Sequence, residues 1–184
     1  MRNFSEPKMA KQTAMRTMRI SRELDDVLRR DAESRGISFS SLASEIFTKY
    51  AEWDRLANRF GMATTPRATF RDMWETIGKE KAASLGRLAG SRNATEGASF
   101  WFQRLNTRTF LKLIDLLAKY TKSFEYELES RDEREYTITV HHDINEAYSI
   151  FLENWFKSAI EKIVGVAPSI KVNLNSIVVT FREP

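Results

Sequence analysis

The sequence predicts an α+β protein in two parts. A short N-terminal unit carries one strand and two helices, and a longer C-terminal domain of helices has two β-hairpins flanking a long helix. Three observations carry that prediction. Residues 15–50 hold a brief alternating segment followed by two helix-period runs. Residues 124–140 and 170–181 each read as a pair of alternating strands around a polar turn. Between those pairs, residues 143–164 are apolar on most sides at helical spacing, as in a helix covered from more than one direction.

Taken in order, Met15 to Ile20 alternate, and Ser21 opens a helix with Leu24, Val27, Leu28 and Ala32 on one face. Gly36 stops it, and Ser38 restarts a helix carrying Leu42, Ile46, Phe47 and Tyr50. The stripe continues through Trp53, Ala57 and Phe60 to Gly61, and residues 62–69 read as a linker with Pro66 against helix. Thr69 to Asp72 have capping-box spacing before a face of Phe70, Met73, Trp74 and Ile77. Gly86, Gly90 and Gly97 are expected to break the stretch that follows. Phe100 to Phe102 form a short apolar helical piece, and Asn106 or Thr107 caps a helix carrying Phe110, Leu113, Ile114 and Leu117. Phe124, Tyr126 and Leu128 alternate with glutamates, and Tyr136, Ile138 and Val140 answer them across residues 130–134. Asp143, with Glu146 three residues on, is expected to open the long helix that Gly165 and Pro168 end. A closing hairpin turns at residues 173–176.

The first of these units resembles the ribbon-helix-helix family of DNA-binding proteins, on the spacing from Ser21 to Gly36 and on Gly36-Ile37-Ser38-Phe39-Ser40-Ser41-Leu42. The resemblance covers residues 15–50 and implies an intertwined homodimer on double-stranded DNA. Elementary physics agrees about the partner, because a unit this small has too little core to stand alone. Parity then puts Met18 and Ile20 inward with Leu24, Leu28, Leu42 and Ile46. Met15, Thr17 and Arg19 face the major groove, and Arg16 reaches a phosphate from the strand end. The helix start at Ser38, Phe39 and Ser40 implies a clamp on the DNA backbone. The tail before the strand, residues 1–13, reads as a disordered basic arm, with Lys8 and Lys11 as further phosphate contacts. The expected boundaries are therefore 1–13, 14–61, 62–69 and 70–184. In element order alone, residues 70–184 are similar to vinyl-reductase/TRAPP-type and haem-based nitric-oxide-sensing domains. The haem sensors' Tyr-x-Ser-x-Arg signature is absent, with residues 140–144 reading Val-His-His-Asp-Ile there.

Composition narrows the function classes. The net charge of +4 is uneven: residues 1–62 carry 12 Lys+Arg against 9 Asp+Glu, residues 63–122 carry 11 against 5, and residues 123–184 carry 6 against 11. A basic front and an acidic end suit a protein whose N-terminal part meets a polyanion. The chain has no cysteine, which removes disulfides and thiolate chemistry and suits a reducing cytoplasm. Its only histidines, His141 and His142, are adjacent and too few for a metal site, so no metal and no cofactor is expected. No phosphate-binding glycine loop, nucleophile elbow or metal-ligand spacing is present, and no enzyme is expected. No run is long enough to span a membrane. The reading is a dimeric transcriptional regulator of the nucleoid, with a C-terminal domain for assembly or for a small-molecule effector. The alternatives are an antitoxin- or partition-type DNA binder whose C-terminal domain holds a protein partner, and a small-molecule-binding protein.

Overall fold

The computed structural model describes residues 14–132 and 134–184. They divide between Thr48 and Lys49 into two compact units. The chain is mainly helical, with one small antiparallel sheet near its C-terminus.

The N-terminal unit departs from the expected fold. Residues 14–20 form no strand and are exposed throughout. All strands among the described residues lie between Glu125 and Arg182. A ribbon-helix-helix arrangement therefore does not fit. A lone six-residue strand can satisfy its N–H and C=O groups only by pairing, and no described residue pairs with it, so its exposed backbone is left to water. The helices do form. Helix α1 spans Arg22–Ser34, with the Ser21 hydroxyl accepting from Leu24 N–H at 3.2 Å. Helix α2 spans Phe39–Lys49, and the Ser38 hydroxyl accepts from Ser41 N–H at 3.0 Å. Of the residues assigned to an inner face, Leu42 is buried and Leu28 half-buried. Met18, Ile20, Leu24 and Ile46 are exposed, at 57%, 37%, 45% and 43%. Two short helices cannot cover both of their own apolar faces.

The second unit begins with a π-helical turn at Tyr50–Asp54 and helix α3, Arg55–Phe60, which ends at Gly61. Helix α4 follows at Arg67–Ser91. It starts three residues earlier than the Thr69 spacing suggests, with Pro66 at its N-cap and no side-chain cap. The chain kinks inside it at Gly78, whose φ of 73° a side chain would resist. Helix α5 spans Asn93–Phe102 and α6 spans Thr107–Thr121. Asn106 caps α6 in a reciprocal capping box with Thr109. The sheet is β1 (Glu125–Arg131), β2 (Glu135–His141), β3 (Ser169–Val172) and β4 (Ser176–Arg182), in the order β1-β2-β4-β3. Helix α7, Glu146–Ile163, joins the two hairpins. It opens on Asn145, which accepts from Tyr148 N–H at 3.1 Å, and not on Asp143.

The core lies where α7 meets the sheet and α4. In register, Ile138 faces Val179 and Val140 faces Ile177, and all four are fully buried. Phe156 and Ile160 of α7 and Phe110 and Ile114 of α6 belong to the same cluster. The glycines expected to break the chain near residue 90 instead sit inside α4, next to α7. A Cβ on Gly86 would reach the Phe151 carbonyl and come within 2.9 Å of Asn154 Cβ; one on Gly90 would meet the Trp155 backbone. With Ala82 they make a small face every four residues, and that spacing lets two backbones approach closely at the cost of some helix propensity. This close approach explains why α7 is apolar nearly all round: it faces the sheet and another helix together.

Candidate nucleic-acid surface and ligand pocket

In the N-terminal unit, Met15, Arg16, Thr17 and Arg19 stand in an exposed extended segment ahead of α1. Arg16 donates only to its neighbour's carbonyl, Met15 O, at 3.0 Å. Among the described residues Arg16, Arg19 and Arg22 form no ion pair. Of the later cations, Arg29 pairs with Asp25 at 2.7 Å, Arg30 donates to the Asp26 carbonyl at 3.2 Å, and Arg35 pairs with Glu45 at 2.5 Å and Asp31 at 3.9 Å. Ser38 is exposed and serves as the α2 cap, with its hydroxyl 2.8 Å from that of Ser41. Ser40 is exposed on the first turn, while Phe39 is half-buried beneath Arg29, whose guanidinium lies 5.7 Å from the ring centre. The predicted contacts thus fall into an exposed basic segment and a capped helix start. The outward parity assigned to Thr17 and Arg19 lapses with the strand. Lys8 and Lys11 lie outside the described residues.

The second unit contains a cavity of about 460 Å³, within the usual range for small-molecule sites. One wall is α7, through Tyr148, Phe151, Leu152 and Trp155; Phe70 of α4, Leu117 and Tyr120 of α6, and Trp53 of the π-helical turn complete the apolar lining. The rings are ordered against one another. Tyr148 stacks on Phe151 at 5.7 Å, and Phe70 meets Tyr148 edge-on at 5.5 Å. Trp53 stacks between Trp101 and Tyr120 at 5.6 and 5.5 Å. A hub beneath Trp53 holds that stack: the Glu52 carboxylate accepts from Lys119 at 2.8 Å and Tyr120 at 2.6 Å, and its carbonyl accepts from the Trp101 indole at 3.3 Å.

Polar groups gather on one side of the cavity. Arg67 donates to the Lys122 carbonyl at 2.8 Å and holds the Asp143 carboxylate, which Arg71 also approaches at 3.6 Å. The hydrogen bond from Arg67 is the main reason the Asp143 carboxyl titrates below its ordinary range. The Thr121 and Ser123 hydroxyls are 2.7 Å apart, and Ser123 shares a hydrogen bond with Tyr148. Burial pushes the Tyr148 phenol up to about 12, so it stays protonated.

His142 and Ser149 lie close enough to raise the question of a nucleophile. His142 Nε2 is 2.7 Å from Ser149 Oγ. His142 Nδ1 takes a hydrogen bond from Ile144 N–H at 3.2 Å, so Nδ1 carries no proton. Nε2 must then carry it and donate to Ser149, whose own hydroxyl donates to the Leu174 carbonyl at 2.8 Å. A base already protonated toward the hydroxyl cannot activate it, so the pair ties α7 to the β3–β4 turn. Burial lowers the His142 pKa to about 4. With both ring nitrogens engaged, His142 offers nothing to a metal ion. Among the described residues, no three His, Asp or Glu side chains group in a way that could hold a metal, and no helix is long and apolar enough to cross a membrane.

Compared with known proteins, the chain matches no family model, no curated protein and no solved structure. Of the aromatic pocket residues, Trp53 and Phe70 show in the sequence only as members of helix faces. Arg67 and Lys122 were not singled out, because they come together only through the end of α6 and the start of α4.

Proposed function

We propose that this chain is a self-associating DNA-binding regulator that works on the nucleoid. Its N-terminal unit meets the duplex, and its C-terminal domain governs assembly. The observation that carries the reading is a juxtaposition within residues 14–48. An extended basic segment with Arg16 and Arg19, followed by Arg22 at the start of α1, pairs with no carboxylate among the described residues and precedes two helices whose apolar faces stay exposed at Leu24, Val27, Ile46 and Phe47. The free guanidiniums suit phosphates, and the uncovered helix faces suit a second copy of the same unit, which would bury them by symmetry. DNA contact on this reading comes from the extended segment as an arm and from the Ser38–Ser41 helix start, with Ser40 exposed on its first turn. The polyelectrolyte term dominates such an interface.

The test is titration of duplex DNA with the full chain at several salt concentrations, with sedimentation of the same samples. Affinity should fall steeply with salt, and Arg16→Ala with Arg19→Ala should flatten the log–log slope by about one unit per residue. Sedimentation should show a dimer or larger species at about micromolar concentration. A monomer that ignores duplex DNA at low salt, or a slope untouched by the double substitution, sinks the reading.

A further inference from the structure

We infer that the aromatic cavity of the second unit is a binding site for a small carboxylate with an apolar body, and that Lys122 receives the carboxylate. The inference goes beyond DNA binding and stands on separate residues. The cavity, at about 460 Å³, has room for a fused-ring or medium-chain molecule. Phe70, Phe124, Phe151 and Leu152 give it an apolar lining that suits the body of such a molecule. The charges at its edge are unbalanced toward positive. Asp54 is the one carboxylate in the lining, and Lys49 already holds it at 3.2 Å. Arg67 is fixed by Asp143 and the Lys122 carbonyl, so it supplies a positioned charge with little freedom to move. Lys122 has no ion pair among the described residues. A cation that pairs with no described residue, in the lining of an apolar cavity, selects an anion whose remainder is apolar.

Lys122 closes α6 in the left-handed region, at φ 54° and ψ 23°, where glycine is the usual residue, so Lys122→Gly removes the charge without straining the backbone. The same turn places Thr121 and Ser123 in the lining, where the Thr121 hydroxyl already donates to the Leu117 carbonyl at 2.7 Å and accepts from Ser123 at 2.7 Å, so neither competes with Lys122 as a donor. Helix α4 begins at Arg67 without a side-chain cap, so the positive end of its dipole faces the same neighbourhood.

Calorimetric titration of the full chain with 2-naphthoate and decanoate, each against its primary amide, tests the assignment. The carboxylates should bind about tenfold or more tightly than their amides, the margin expected of one charge-assisted hydrogen bond. Lys122→Gly should lower carboxylate affinity about tenfold, leave amide affinity unchanged and leave the melting temperature equal or higher. Lys122→Met, which keeps the stem and removes the charge, should give the same loss of preference. Equal binding of acid and amide overturns the inference. So does no binding of any of the four up to about 1 mM, or an acid preference that survives both substitutions.

Discussion

In residues 14–48, two capped amphipathic helices bury Ala32 and Leu42 and leave Leu24, Val27, Ile46 and Phe47 in the open. In residues 49–184, the amphipathic α6, the small-faced α4 and the nearly all-round apolar α7 close a continuous core from Trp74 through Phe110 and Phe156 to Phe181. Both regions obey the same local rules of capping and periodicity. They differ in whether the chain itself supplies a surface for each apolar face. The sheet and the small face of α4 do so for α7, and nothing among residues 14–48 does so for α1 and α2. Helix formation is thus a local property, while burial depends on a partner surface.

The contrast can be broken most forcefully at the α4–α7 crossing. Gly90→Val puts side-chain atoms onto the Trp155 backbone. It should cost at least about 3 kcal/mol and unfold the second unit, as read by chemical denaturation and near-UV dichroism. If Gly90→Val melts with the parent, the crossing does not organise that region. A smaller effect sharpens the same comparison through protons. The folded state holds His142 neutral with a pKa of about 4, against 6.5 for a free imidazole. Its contribution to stability is therefore whole above pH 6.5 and is lost as pH falls from there through about 4. The nearby Asp143 opposes the shift and His141 adds to it. His142→Gln should flatten the melting temperature of the second unit across that window relative to the parent. Parallel pH profiles for the two proteins count against the neutral, donating His142. The smallest effect lies in the first region. Ser38→Ala removes the α2 cap and should cost about 1 kcal/mol of local helix stability, seen as faster amide exchange over residues 39–42 with the second unit unaffected. A loss spread over both units would show that they are not separate in stability.

Much of the second region was legible in the sequence. The turn at residues 130–134, the hairpin at 173–176 and the Asn106 cap each announce themselves through residues a few positions apart. Errors came where a signal was shared between two causes. Asp143 looked like a helix cap because acidic residues favour helix starts, but its carboxylate went to Arg67 and Asn145 took the cap. Gly86 and Gly90 looked like breakers because glycine lowers helix propensity, yet a close helix neighbour repays that cost. The candidate pocket was only half legible: its aromatic rings were noticed, and its cations were not.

What the sequence determined by itself was local. Caps, turns, periodicity and the alternation of the later strands follow from contacts within a few residues, whose energies do not wait for the rest of the fold. Only the tertiary structure decided that β2 lies beside β4, that α7 serves two layers, that Lys122 and Arg67 meet at one cavity, and that Met15 to Ile20 remain without a strand partner. Each of these depends on which distant surface arrives to cover an apolar face or pair a backbone edge, and residue spacing carries no record of that choice.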